Sequence, residues 1–283
     1  LKITNKNNLP NAFVNIANEQ RDIVDKHYSV TTLLKGTREV LLTRRYKDTL
    51  TADVSDMIWA IWGTAVHYVL EQADDKNMVE LRLKQEIKDG YYLTGRCDLY
   101  NKEEFTIEDY KTASVWKIVN DDLEDWRKQG MMYAWLAVKM GWHVERIKFH
   151  ALLKDWSPSK AKRGGNYPQS AIITKEWKVS ALDLLDIEEF IKEKFDDLIA
   201  NEDSLDTELP LCSETERWST PTKWAVMKEG RKSAVKLYDE MPEEVEQPYY
   251  IEKREGEDRK CMDYCPAREV CPYWKERYRN GKD

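Results

Sequence analysis

Tyr91-Tyr92-Leu93-Thr94-Gly95-Arg96-Cys97-Asp98-Leu99-Tyr100 and, after Asn101-Lys102-Glu103, Glu104-Phe105-Thr106-Ile107-Glu108-Asp109-Tyr110-Lys111 decide how this chain is read. Two runs rich in β-formers flank a polar turn at 101–104, which is the pattern of a hairpin with strands at 91–100 and 104–111. Asp98 ends the first strand, and Asp109 and Lys111 end the second. Residues 109 and 111 share a face because side chains alternate along a strand. In such a hairpin Asp98 can lie beside Asp109, within a few ångströms. Two carboxylates that close repel each other unless a cation lies between them. Hard oxygen donors select Mg²⁺ or Mn²⁺. A lysine on the same face can orient or activate a water there. Together these parts meet the needs of phosphodiester hydrolysis, which are charge neutralisation, a positioned water and a stabilised leaving oxygen. The same residues could equally form a surface ion-pair ladder, and an Asp-x-Lys tripeptide alone does not choose between the two.

Working outward, 56–74 reads as a helix, with Met57, Ile58, Ile61, Trp62, Ala65, Val66, Val69 and Leu70 at helical spacing. His67 lies on it with Glu71 one turn on, and imidazole can join a metal site. A strand is expected at 79–87; Glu86 points away from its apolar side and is a second-rank ligand candidate. A helix over 122–140, stopped by Gly141, places Gln129 and Tyr133 at i and i+4, where they can hold a phosphate or a DNA end. Strands at 145–153 and 171–179 enclose a loop at 157–170, and 181–200 is an acidic amphipathic helix. Upstream, 28–46 reads as a helix capped by Ser29 or Thr31, with Gly36 able to split it in two. The core order is thus αβββαβ, an α/β arrangement with a mixed central sheet flanked by helices and a site at strand ends.

Lys and Arg number 45 against 52 Asp and Glu, a net charge of −7, so bulk charge does not advertise a nucleic-acid binder. The distribution is uneven. Residues 141–179 carry eight basic and three acidic residues, whereas 181–216 carries thirteen acidic residues against Lys192 and Lys194. The basic stretch, with Lys162 and Arg163 and with Trp142, Trp156, Tyr167 and Trp177 interleaved, suits a groove for single-stranded nucleic acid as well as it suits a solvated face. The longest apolar run, 131–138, is too short to span a bilayer, and residues 1–10 carry no signal-like segment. A cytoplasmic setting without membrane insertion is expected.

The series Gly63-x-x-x-His67, Gly95-x-x-Asp98, Asp109-Tyr110-Lys111-Thr112 and Gln129-x-x-x-Tyr133 resembles the RecB-like branch of the PD-(D/E)XK nuclease superfamily over about 29–179. The more detailed likeness is to phage and prophage recombination exonucleases. The resemblance implies a restriction-endonuclease-like core. It implies metal ligation by His67, Asp98, Asp109 and the Tyr110 carbonyl, with Lys111 catalytic. Gln129 and Tyr133 would support site and substrate. The 29–34 segment with Arg44 and Arg45 resembles the family's opening helix, and these arginines are DNA-binding candidates. The implied activity is a Mg²⁺- or Mn²⁺-dependent deoxyribonuclease, in the preferred form a 5′-to-3′ exonuclease of phage or prophage recombination and repair. Its partners would be DNA and a single-strand annealing protein or recombinase, with homo-oligomers conceivable. The alternatives are a CRISPR-adaptation-type nuclease that needs partners, or a non-catalytic DNA-binding subunit. His27, His143 and His150 match no motif and read as structural or surface.

Cys261, Cys265 and Cys271 follow C-x3-C-x5-C near Pro266 and Pro272, with Cys212 the natural fourth ligand. Four thiolates suit a [4Fe–4S] cluster, the favoured assignment, or a structural Zn²⁺. Cluster-bearing relatives often place their first cysteine far upstream. Here the opening helix has none, so Cys212 must substitute. Cys97 reads as a small buried hydrophobe. The expected organisation is a helical N-terminal region (1–55), a nuclease core (56–200) and a Cys-containing C-terminal extension (201–283), irregular with helical pieces.

Overall fold

The computed structural model describes residues 1–19, 23–73 and 78–279. The chain divides into two compact units: residues 1–35 with 51–203, and residues 36–50 with 204–283. The boundary inside the N-terminal region falls at Gly36, where the sequence pattern breaks.

The first unit is built on a six-stranded mixed sheet. Its elements follow the expected order: helix Val54–Ala73, strands Met78–Lys88, Tyr91–Asn101 and Thr106–Ala113, helix Glu124–Lys139, and strand Arg146–Leu153. Strand Ile172–Lys178 then closes one edge, and helix Ala181–Ala200 follows. That last helix begins at the capping box of Ser180 and Asp183, which satisfies two otherwise orphaned backbone N–H groups. Thr106–Ala113 and Arg146–Leu153 run parallel, joined by Glu124–Lys139 as the crossover. This is a mixed central sheet flanked by helices, in the order the sequence predicts.

The core lies between the sheet and Glu124–Lys139. Met131, Met132, Ala134, Leu136 and Ala137 of the helix and Ile147, Phe149, Ala151 and Leu153 of the strand are all buried, and Gly130 lets the helix close on Ile147 and Phe149. Each fully buried large side chain contributes roughly 1.5–3 kcal/mol. Gly95 makes the close approach possible, because a Cβ there would lie 3.0 Å from atoms of Leu136 and Tyr133.

The way Tyr91–Asn101 is paired places the site. One edge pairs with Met78–Lys88 along its length. On the other edge, residues 92–94 pair with His27–Ser29, and residues 99–101 pair with 106–108. Between those two partners, among the described residues, this edge carries no ladder pair at positions 95–98. The sheet is therefore split open at Asp98, beside Asp109, Tyr110 and Lys111.

Several expectations are refined. The span 28–46 is a short strand, His27–Ser29, followed by two helices, Val30–Leu33 and Thr37–Arg45, and Ser29 caps the first. The loop at 157–170 contains a helical turn, Pro158–Ala161. The C-terminal region is not merely irregular with helical pieces: the second unit holds a three-stranded antiparallel sheet of Lys236–Tyr238, Lys223–Lys228 and Tyr249–Arg254. Its strands are short, and only Ala225, Val226 and Met227 are buried, so their alternation is weak in the sequence. Among the described residues, no helix is long and apolar enough to cross a membrane.

Candidate active site and cysteine pocket

Asp98 is reached from both sides of the split. Its Oδ1 lies 3.1 Å from Nδ1 of His67, on the helix Val54–Ala73. Its Oδ2 accepts a 2.7 Å hydrogen bond from the backbone N–H of Tyr110. The ladder between the two antiparallel strands stops at Leu99 and Glu108, just short of this contact. Asp109, on the neighbouring strand, is buried and forms an ion pair with Lys111. The ammonium lies against Oδ1 of Asp109 but outside hydrogen-bond geometry, so this buried oxygen lacks a hydrogen-bond donor. Gln129 donates a 3.0 Å hydrogen bond to the Tyr133 hydroxyl, and both side chains are buried on Glu124–Lys139.

The electrostatics follow from burial and from this crowding. Burial pushes the Asp109 carboxyl above its usual range, Lys111 pulls it back, and Asp98 pushes it up again. The Asp98 hydrogen bond raises the His67 imidazole, and burial opposes that rise. Burial, then the charge of Asp109, raises the Tyr133 hydroxyl far enough to keep its proton at any physiological pH. Two carboxylates are thus held by one imidazole and one ammonium, in a site that has not lost its demand for positive charge.

The donor set fits a hard divalent cation. It has two carboxylates, Asp98 and Asp109, and the imidazole of His67, with Oδ1 of Asp109 buried against the Lys111 ammonium. As the side chains stand, no group of three His, Cys, Asp or Glu among the described residues is drawn together tightly enough to hold an ion. His67 and Lys111 instead supply the positive charge against the acids.

Other candidates are placed elsewhere. Glu86 is exposed and accepts from the backbone N–H of Gly90 at 2.9 Å, which corrects the ligand expectation: its carboxylate closes the hairpin turn. The side chain of Glu71 lies outside the described residues. Lys162 and Arg163 are exposed at the end of the Pro158–Ala161 turn. Arg44 and Arg45 belong to the second unit, where Arg45 is engaged by Asp206 at 2.7 Å. Cys97 is fully buried, and burial, with Asp109 and Asp98, pushes its thiol up to about 12, as suits a packed apolar residue. His150 bridges Glu108 at 2.6 Å and Thr174 at 2.9 Å, and so ties three strands together. Sequence reasoning missed the Glu108–His150 pair, which only the parallel register places side by side.

In the second unit, Cys212, Cys261, Cys265 and Cys271 line one cavity, together with Arg38, Leu42 and Tyr273 among others. None of them is disulfide-bonded. Burial first, and then Asp258 or Glu39, pushes the thiols of Cys261 and Cys265 up to about 12. Gly36 gives the cavity room, because a Cβ there would lie 2.5 Å from Sγ of Cys212. The walls are anchored by polar contacts: Arg38 donates to the carbonyls of Leu209 and Pro210, Arg217 donates to that of Cys212, and Lys260 pairs with Glu39 at 2.6 Å. Cys271 is buried and the other three are half-buried, and as the side chains stand no three of them are drawn together tightly enough to hold an ion.

No protein-family model matches the chain, and no curated protein matches its sequence. Solved structures do. The chain is similar to SSO0001 at 19% identity, over 70% of this chain and 88% of that one, with a TM-score of 0.48. It is similar to a phage-related exonuclease from Haemophilus somnus 129PT at 13% identity, over 58% and 81%, with a TM-score of 0.35. It is also similar to an alkaline exonuclease, LHK-Exo, from Laribacter hongkongensis at 9% identity, over 65% and 93%, with a TM-score of 0.40.

Proposed function

We propose that this chain is a divalent-metal-dependent deoxyribonuclease that hydrolyses phosphodiester bonds, in its preferred form an exonuclease of phage or prophage DNA recombination and repair. The observation that carries this reading is the convergence of Asp98, Asp109 and Lys111 at the split in the sheet, with His67 on Asp98 and the Tyr110 N–H turned into the gap. His67, Asp98, Asp109 and the Tyr110 carbonyl would hold Mg²⁺ or Mn²⁺. When bound, the ion would neutralise the scissile phosphate and acidify a water.

The chain's own groups do the rest. Lys111 Nζ, as the ammonium paired with Asp109, would orient the attacking water and stabilise the negative charge that develops on the phosphate. Tyr133 accepts from Gln129 and keeps its own proton, so its hydroxyl is a donor for a phosphate oxygen. His67 fixes Asp98 through Oδ1 while the Tyr110 N–H fixes it through Oδ2, which leaves that carboxylate little freedom to turn.

The test is digestion of end-labelled linear DNA and circular DNA with Mg²⁺ or Mn²⁺. Linear DNA should be degraded from its ends and circular DNA spared, and Asp109→Ala should abolish cleavage while leaving the circular dichroism spectrum unchanged. Wild-type protein that cuts no DNA with any divalent ion sinks the enzyme reading and leaves a DNA-binding subunit. For the second unit, we propose a structural [4Fe–4S] cluster held by Cys212, Cys261, Cys265 and Cys271. Anaerobically purified protein should be brown; colourless protein with one zinc per chain would replace the cluster by Zn²⁺.

A further inference from the structure

Three large aromatic rings stand out in water at the end of the sheet next to the split. Trp59 is 61% exposed, Trp62 36% and Trp116 49%. Exposed tryptophan is costly to leave in solvent, since each ring removes much apolar area from water when it is covered. Trp59, Gly63 and His67 lie at i, i+4 and i+8 and share one stripe of the helix Val54–Ala73. Trp59 is therefore about 12 Å along the helix from His67. The stripe rests on the sheet at Gly63, where a Cβ would lie 3.3 Å from Oγ1 of Thr112.

Cations accompany the rings. Lys154 Nζ lies 4.3 Å from the centroid of Trp59, whose ring packs edge-on against Trp62 at 6.1 Å. Lys160 Nζ lies 5.7 Å from Trp116 and 6.0 Å from Tyr167. The pieces that carry them are fastened together. Lys154 N–H bonds to the carbonyl of Ala113, which joins the ends of the two parallel strands. Asp155 accepts from Ser114 Oγ at 2.8 Å and from Val115 N–H at 2.6 Å, so the nearest acid is taken up in holding the Trp116 helix. The loop under Lys160 is fixed by Ser157 N–H to Tyr167 Oη at 2.9 Å and by Trp156 Nε1 to Pro168 O at 2.8 Å.

We propose that Trp59, Trp62 and Trp116, with Lys154 and Lys160, form a stacking platform for unpaired bases of a single DNA strand leading to the Asp98–Asp109 site. The inference rests on the nuclease reading for what lies at the strand's end. Its own basis is independent: flat exposed rings alternate with ammonium groups, and this is the complement of a chain in which bases alternate with phosphates. A duplex hides its base faces and cannot use the rings, so the platform favours single strands. A protein partner would cover the rings but has no call for the lysines over them.

The experiment measures fluorescence anisotropy of a labelled oligothymidylate of about 12 nucleotides, and of a blunt duplex of equal length, with the full chain and no added divalent ion. Single-strand binding should exceed duplex binding and should quench tryptophan fluorescence. Trp59→Ala and Trp116→Ala should each weaken it by roughly tenfold, while Trp59→Phe and Trp116→Phe keep most of the affinity. Lys154→Gln should reduce the slope of log affinity against log salt by about 1. Alanine variants that bind the single strand as the wild type does, or tighter binding of the duplex, overturn the platform. The two readings fail separately. Protein that binds through the tryptophans yet never cuts sinks the nuclease alone. Protein that cuts with tryptophan-independent binding sinks the platform alone.

Discussion

The acidic site and the cysteine pocket are opposites in how a chain gathers ligands. In the first unit, Asp98, Asp109 and Lys111 lie within fourteen residues of sequence and are fixed by strand backbone on both sides of one gap. In the second, Cys212 lies 59 positions before Cys271, and the four cysteines line one cavity built from loops, a π-helical turn and a glycine that makes room. The acids are hard donors in a preformed rigid frame, and they satisfy themselves with His67 and Lys111. The thiols are soft donors in a frame that depends on long-range closure, which a bound metal would reinforce. The geometry of the acidic site is thus set by the sheet, whereas that of the cysteine cavity is set by segments far apart in the chain.

The largest effect should separate the two sites. Lys111→Ala should lower cleavage by at least about a hundredfold. It should also destabilise the first unit, by roughly 3 kcal/mol, because it strands the buried Asp109 carboxylate. Cys261→Ser should instead lose the bound metal or cluster and open the second unit to protease. Activity and metal analysis on both variants would break the comparison if either mutation produced the other's phenotype.

Next in size is Asp258, which is nearly inaccessible and accepts hydrogen bonds from Ser219, Arg217, Tyr273 and Tyr278. Burial alone would raise its carboxyl, but these hydrogen bonds outweigh burial and hold it at about 2. The stability it contributes is therefore complete above its ordinary value of 3.8 and is lost as pH falls through about 2. Acid titration followed by limited proteolysis should cut residues 204–279 across that window. Asp258→Asn should flatten the response and cost about 2–4 kcal/mol at neutral pH.

Gly95→Val tests the sheet as the frame of the acidic site. Its side chain would press on Leu136 and Tyr133, costing roughly 1–3 kcal/mol. Turnover should fall more than thermal stability does, since Tyr133 moves with the helix. The smallest effect belongs to Arg45→Gln, which removes a partly exposed ion pair with Asp206 and should cost under about 1 kcal/mol in thermal denaturation. A clear loss of DNA affinity in that variant would show that Arg45 serves DNA despite its pairing.

The sequence by itself determined the order of elements in the first unit and the identity of the acids, because strand alternation puts 109 and 111 on one face whatever the surroundings. Helix Ala181–Ala200 was legible to the residue, since Ser180 and Asp183 spell a local cap. The tertiary structure alone decided that the ladder with Thr106–Ala113 stops at Leu99 and Glu108, that the Tyr110 N–H bonds to Asp98, and that the tryptophans stay in solvent. It also decided the three-stranded sheet of the second unit and the meeting of Cys212 with three cysteines far along the chain. Periodicity and capping are written in neighbouring residues. Edge pairing, close approach at glycine and the convergence of distant ligands depend on which segments come to lie side by side, and no local window contains that.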